Sequence, residues 1–226
     1  MSDQKVSNER RRELTQIDPF QASLLKAMNY AKEYKKQLIF IAGAFVLVAI
    51  VFASVMYSFQ KAEKSAAMLV TQALTKYNNA DNPQKGYIEI ENDFKIIFTD
   101  FSNTVAGKQA LVQFAKICYD ASKFDQSYKY YKEAFEAFKN EALMENFLLS
   151  SLGHACLARK DLDEARKYFT QIEQGESDLL KDEATFTLAM LNEAADNVIE
   201  SKRLYKQIVT EYENSMYIPI AQSKIN

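Results

Sequence analysis

Five glycines, three prolines, two cysteines, a single histidine and no tryptophan are spread through 226 residues. So few glycines and prolines cannot supply the turns of a multi-stranded sheet, and the dominance of Ala, Leu, Lys, Glu and Gln points to an all-α chain. No glycine-rich phosphate loop, nucleophile elbow or paired metal-ligand motif is present. Neither catalysis nor a bound cofactor or metal is therefore expected. Clustered basic excess is missing too: 28 basic residues face 30 acidic ones, net −2, which lacks the electrostatic footprint of a nucleic-acid binder.

Against that background one segment stands out. The 22 residues from Leu38 to Phe59 contain no charge and no proline, and only Ser54, Tyr57 and Ser58 interrupt their apolar character. As a helix they reach roughly 33 Å, enough to cross a hydrocarbon layer of about 30 Å. A cleaved signal would need an apolar stretch of about 7 to 15 residues and a small-x-small cleavage site. Val51-Phe52-Ala53 and Met56-Tyr57-Ser58 are poor sites of that kind, so the anchor is expected to stay attached. Arg10-Arg11-Arg12 resembles a twin-arginine signal, but about 25 residues separate it from the span, and a topogenic charge cluster is the better account.

Eight basic residues precede the span (Lys5, Arg10, Arg11, Arg12, Lys26, Lys32, Lys35, Lys36), whereas only Lys61 and Lys64 follow it before Lys76. The positive-inside rule then places the leader in the cytoplasm and the larger part outside it. The leader is net +3 and the remainder net −5, which suits a basic segment beside anionic lipid and a mildly acidic outer domain.

Residues 1–17 are polar and aperiodic, a disordered leader by composition. Asp18 and Pro19 read as N-cap and first position of an amphipathic juxtamembrane helix over 18–37, with Phe20, Leu24, Met28 and Ala31 on one face. From Phe20 to Asn78 only Gly43 weakens the helical pattern, so one unbroken helix forming a stiff stalk is expected. Ala49 and Ala53, with Ala42 near the same face, form a small-xxx-small pattern that can support a homo-oligomer but also arises by chance in alanine-rich spans.

Beyond the span the sequence repeats. Phe114-Ala115, Phe124, Ser127, Tyr131 and Ala134 are followed by Leu152-Gly153, Leu162, Ala165, Phe169 and Ile172, and then by Leu188-Ala189, Val198, Ser201, Tyr205 and Ile208. The offsets from the leading residue are +1, +10, +13, +17 and +20 each time, with unit spacings of 38 and 36. Small residues at +1 and +13 let two helices approach, and the aromatic at +17 fills the space between hairpins. This pattern resembles the tetratricopeptide repeat, whose period is about 34 and whose L-G, A and F/Y positions share these offsets. Three such units are expected over 106–212. Tyr87, Ile90, Phe94, Ile97 and Phe101 mark a helical stripe that, with the helix around Ala66 to Tyr77, would form an atypical capping hairpin within 60–105. Residues 213–226 would close the other end with a short helix near Tyr217.

A cytoplasmic leader, one span, a helical stalk and Ser102-Asn103-Thr104 entering repeats with Leu152-Gly153 and Ala165 is together similar to the family of the ancillary subunit of the bacterial SecYEG translocon. The resemblance covers roughly residues 20–212. It implies a single-pass inner-membrane protein with a periplasmic repeat domain that takes part in chaperone networks for exported proteins, beside the Sec translocon.

Repeat resemblance also implies which residues face the inner groove: Gln109, Val112, Lys116, Tyr119 and Asp120, then Phe147, Ser150, His154, Leu157 and Ala158, then Glu183, Phe186, Met190, Glu193 and Ala194. The best candidates for contacting a polypeptide are Val112, Lys116, Tyr119, Phe147, Ser150, His154, Leu157, Phe186, Met190 and Glu193. The set lacks a clamp for a terminal carboxylate and suits a peptide with apolar anchors. Phe147 and Phe186 are equally open to a second reading, as packing between neighbouring helices. His154 has no histidine companion, which favours a groove-lining role over metal binding or catalysis. Tyr128, Tyr130, Tyr131, Phe135 and Phe138 are better read as core than as a base-stacking surface. Cys118 and Cys156 occupy equivalent positions on neighbouring helices; a disulfide is permitted in an oxidising compartment, but helix spacing favours two buried thiols.

The expected function is non-enzymatic binding of polypeptide outside the cytoplasm, in protein export and envelope quality control. The alternative is a structural scaffold for outer-membrane assembly or cell-envelope complexes, suggested by Glu211 to Tyr217. A third arrangement, with the repeats in the cytosol, runs against the basic leader.

Overall fold

The computed structural model describes residues 19–225, and every regular element among them is an α-helix, ten in all. The expected disordered leader 1–17 with its arginine cluster, and the capping Asp18, lie outside the described residues. The chain divides into two compact units, Met1–Ser58 and Phe59–Asn226.

Within the first unit, α1 (Pro19–Glu33) is followed by the start of α2 (Lys35–Asn79). The expected single helix is thus divided at Tyr34. The division is slight, because the Tyr34 amide donates to the Tyr30 carbonyl and the Leu38 amide to the Tyr34 carbonyl, both at 2.9 Å. Helix α2 is long and apolar enough to cross a membrane, and none of its most apolar window is buried within the chain. Inside that stretch Ser54 hides its hydroxyl by donating to the Ile50 carbonyl at 2.8 Å, the usual way a helix carries serine through lipid.

The second unit begins in the distal part of α2, where Ala66, Val70 and Ala73 are buried. Two residues then decide the first turn: Asn82 caps α3 (Pro83–Asp100) by accepting from the Lys85 amide at 2.9 Å, and Pro83 occupies a first-turn position that needs no amide hydrogen. Tyr87, Ile90, Phe94 and Ile97 bury one face of α3, as the stripe requires. Lys76 and Asp93 pair across the two helices at 2.6 Å.

Three hairpins follow: α4 (Val105–Asp120) with α5 (Phe124–Ala137), α6 (Ala142–Ala158) with α7 (Leu162–Gln174), and α8 (Lys181–Ala194) with α9 (Val198–Glu211). Each helix packs on the next in chain order, giving an all-α, solenoid-like stack closed by α10 (Ile218–Ile225). The three turns are built alike. Ser122, Lys160 and Asp196, all at offset +8, adopt the left-handed conformation with φ of 58°, 63° and 57°. At each turn the amide after that residue reaches back to the helix: Lys123 to the Cys118 carbonyl at 2.7 Å, Asp161 to Cys156 at 2.9 Å, Asn197 to Asn192 at 2.9 Å. A second bond joins Ser122 to Tyr119, Lys160 to Leu157 and Asp196 to Glu193, which completes a Schellman end without glycine.

The +1, +13, +17 and +20 positions are buried in all three units. The +10 position is different: Leu162 and Val198 are exposed and Phe124 is half-buried, because they open the second helix of each hairpin, where the turn faces solvent. Phe114 is the centre of an aromatic core, 4.7 Å from Phe94 and 4.9 Å from Tyr130 between ring centroids. Tyr130, Tyr131 and Phe138 are buried, so this aromatic run is core. Cys118 and Cys156 are free and fully buried.

Candidate functional site

On the faces of α4, α6 and α8 lies a cleft of about 420 Å³. Its floor and walls bring together Lys116, Tyr119 and Asp120 from α4, Phe147, Ser150, Ser151 and His154 from α6, and Leu180 and Glu183 at the start of α8, with Tyr131 behind. Phe147 is 42% exposed, the most exposed aromatic residue of the stacked hairpins. Two other hollows, about 610 Å³ at the turn Ser122–Gln126 and about 630 Å³ between Asp178 and Ser215, are lined mainly by polar side chains.

Local structure explains the placement. Asn146 is buried on α6 and donates to the carbonyls of Leu179 at 2.7 Å and Ser177 at 3.3 Å, so the loop before α8 is held against α6. Leu180 ends that loop in the left-handed conformation, φ 61°, and α8 starts beside the cleft. One turn later Glu183 reaches across to α6. Its Oε1 lies 2.8 Å from His154 Nε2, and its Oε2 accepts from Ser150 Oγ at 3.1 Å. The hydrogen bond from His154 is the main reason that the Glu183 carboxyl is held below its ordinary pKa, against an opposing effect of burial. An ionised carboxylate can only accept, so Nε2 carries the hydrogen. On the opposite rim Lys116 Nζ pairs with Asp120 at 2.6 Å, one turn along the same helix.

Serine, glutamate and histidine meet here through the carboxylate, which stands between the other two. The Ser150 hydroxyl donates to Glu183 Oε2 and His154 Nε2 bonds Oε1, so the hydroxyl bonds the carboxylate and not this imidazole nitrogen. No group of three metal-ligating side chains occurs among the described residues.

Of the residues expected to face a peptide, Lys116, Tyr119, Phe147, Ser150 and His154 line the cleft. Val112 and Leu157 do not: they are half-buried against the two hydrophobic clusters of the core. Phe186 and Glu193 are engaged within the chain. The Tyr217 ring stacks on Phe186 at 4.4 Å and 14°, and Glu193 pairs with Lys224 at 2.5 Å while accepting from the Tyr205 hydroxyl at 3.0 Å. Met190 is exposed outside the cleft. Three cleft residues were not legible as such: Tyr131 has the +17 core position, Ser151 follows the groove-facing Ser150, and Leu180 precedes its helix, where periodicity is silent. The partner of His154 was legible in type, since Glu183 faces the same groove, but 29 residues separate them.

No protein-family model matches the chain, and no curated protein matches its sequence.

Proposed function

We propose that this chain is a membrane-anchored, non-enzymatic polypeptide-binding protein whose tetratricopeptide-like hairpins hold segments of other chains in the cleft around Phe147. The observation that carries the reading is an exposed phenyl ring set among Tyr119, Tyr131 and Leu180 on the face shared by three successive hairpins. Apolar side chains of an extended or helical segment gain most from such a surface, and the polar rim limits non-specific adhesion. The basic leader and apolar span support an inner-membrane protein with its repeats on the periplasmic side. The resemblance to the translocon's ancillary subunit supports a place beside the Sec machinery, as chaperone or adaptor for exported chains.

The direct test is equilibrium binding of a reduced, carbamidomethylated polypeptide to the full chain in uncharged detergent micelles. Phe147→Ala is expected to weaken binding about fivefold to tenfold, as loss of an aromatic anchor does. Unaltered binding overturns the assignment of the cleft. A single stoichiometric partner captured independently of Phe147 instead supports an envelope scaffold. A reporter fused after Asn226 that is active only in the cytoplasm overturns the topology.

A further inference from the structure

The geometry points to a charge preference in the cleft: we propose that it selects polypeptide segments in which an apolar or aromatic side chain is accompanied by lysine or arginine. The inference rests on the polypeptide-binding reading above and adds the chemical class of the segment.

The chain supplies its own example of such a contact. Along the neighbouring surface of α8, the C-terminal segment places the Tyr217 ring flat on Phe186 and, two turns later, the Lys224 ammonium on Glu193. Ser215 adds a hydrogen bond to Asp182 at 2.7 Å, and Ala221 is buried. An aromatic ring, a small apolar side chain and a cation, spaced along one segment, thus satisfy a ring and a carboxylate of this helix. The cleft offers the same pair of features without such an occupant. Phe147 presents an open ring, and Glu183 presents a carboxylate whose two hydrogen-bond partners are an imidazole and a hydroxyl, neither of them a fixed cation.

Charge within the cleft has the matching sign. Asp120 and Glu183 contribute two negative charges and Lys116 one positive, beside the imidazole of His154 and the phenols of Tyr119 and Tyr131. Hydrogen bonds from His154 and Ser150 hold Glu183 in its ionised form. The side chain of Glu183 is 22% exposed, so an arriving ammonium can reach it while much of its field stays unscreened. The rest of the chain after the leader is also acidic, net −5, which steers cationic segments toward it and acidic ones away.

Three fluorescent peptides of about twelve residues test this, with the same Phe and Leu content and either Lys, Glu or Ser at the remaining charged positions. Binding to the full chain in uncharged micelles is read by anisotropy. The Lys peptide is expected to bind about fivefold or more tighter than the Ser peptide at low salt, with the advantage shrinking as salt rises, and the Glu peptide more weakly than either. Glu183→Gln should reduce the ratio of Lys-peptide to Ser-peptide affinity to about twofold or less. Lys116→Gln, on the exposed rim, releases Asp120 and should enlarge the Lys advantage even if the first variant folds poorly. Equal binding of all three peptides overturns the charge preference and leaves polypeptide binding standing. Binding of none overturns both. A Lys advantage undiminished by Glu183→Gln in a folded variant, or a Lys advantage that Lys116→Gln does not enlarge, also overturns the proposal.

Discussion

The ring of Phe169 occupies the space in which a side chain at position 153 would begin. A β-carbon on Gly153 would stand 2.6 Å from Phe169 Cε2 and 2.7 Å from Cζ, well inside contact distance. At the same repeat position Ala115 and Ala189 carry a β-carbon and are fully buried, in units whose +17 ring is a tyrosine. The glycine therefore belongs to this hairpin's ring and not to the repeat as such. Helix propensity alone would make Gly153→Ala favourable by about 1 kcal/mol, whereas overpacking a fully buried contact costs about 1–3 kcal/mol. The clash wins, so Gly153→Ala should lower the urea midpoint, and Phe169→Leu should restore part of the loss in the double variant. A raised midpoint for Gly153→Ala would show that the helices are not held this close.

Glu63, on α2, closes the start of α4 from a distance of more than forty residues. Its Oε2 accepts from the Val105 amide at 2.7 Å and its Oε1 from the Ala106 amide at 2.9 Å, while Thr104 takes the Gly107 amide through its hydroxyl at 2.9 Å and the Lys108 amide through its carbonyl at 3.1 Å. The free amides of the first turn, Val105, Ala106 and Gly107, are thereby satisfied, and the regular ladder begins at Lys108. Glu63→Ala should cost about 1–2 kcal/mol and accelerate hydrogen exchange at Val105 and Ala106 ahead of the rest of α4. Uniform exchange along α4 in the variant would contradict the capping role.

Burial pushes the Cys118 thiol up to about 12 and the Cys156 thiol up to about 11, from an ordinary value of 9.0. Both are therefore expected to resist alkylation at neutral pH until the chain is unfolded, and to be labelled together in denaturant. Tyr131 and Tyr205, raised by burial to about 12, behave in the same sense. Each group holds its proton more tightly folded than unfolded. Their contribution is complete below about pH 9 and is lost as pH climbs toward 11 and 12, so stability should fall across that alkaline window. A denaturation midpoint flat from pH 8 to about 11 would remove this account.

Tyr217 should be an anchor of the C-terminal closure. Replacing it with alanine removes the stack on Phe186 and is expected to cost about 2 kcal/mol, less than a fully buried aromatic because the residue is only half-buried. Lys224→Ala, on an exposed pair, should change the midpoint far less. Equal effects of the two substitutions would show that the closure is electrostatic and not aromatic.

The repeat was readable because its constraints are local. Ser127, Ala165 and Ser201 must be small, and Tyr131, Phe169 and Tyr205 large, wherever two helices cross in the same way, so an identical offset reports an identical crossing. The exposed +10 residues Leu162 and Val198 show where the same reasoning overreaches, since a recurring apolar residue can mark a helix start and not a core position. The single helix expected from Phe20 is divided at Tyr34, where no glycine or proline announces the division and the ladder bridges it at 2.9 Å, whereas from Lys35 to Asn79 the helix is continuous.

Composition and spacing by themselves determined that this chain is helical, that one stretch is apolar enough for a bilayer, and that its hairpins recur in register. Those properties depend on neighbours within a turn or two, where side-chain size and polarity act directly. Only the tertiary structure decided which groove residues remain open. Phe186 and Glu193 are taken by Tyr217 and Lys224, whereas Phe147 stays uncovered and His154 finds Glu183, because such meetings depend on how separate helices stack and not on any one helix's pattern.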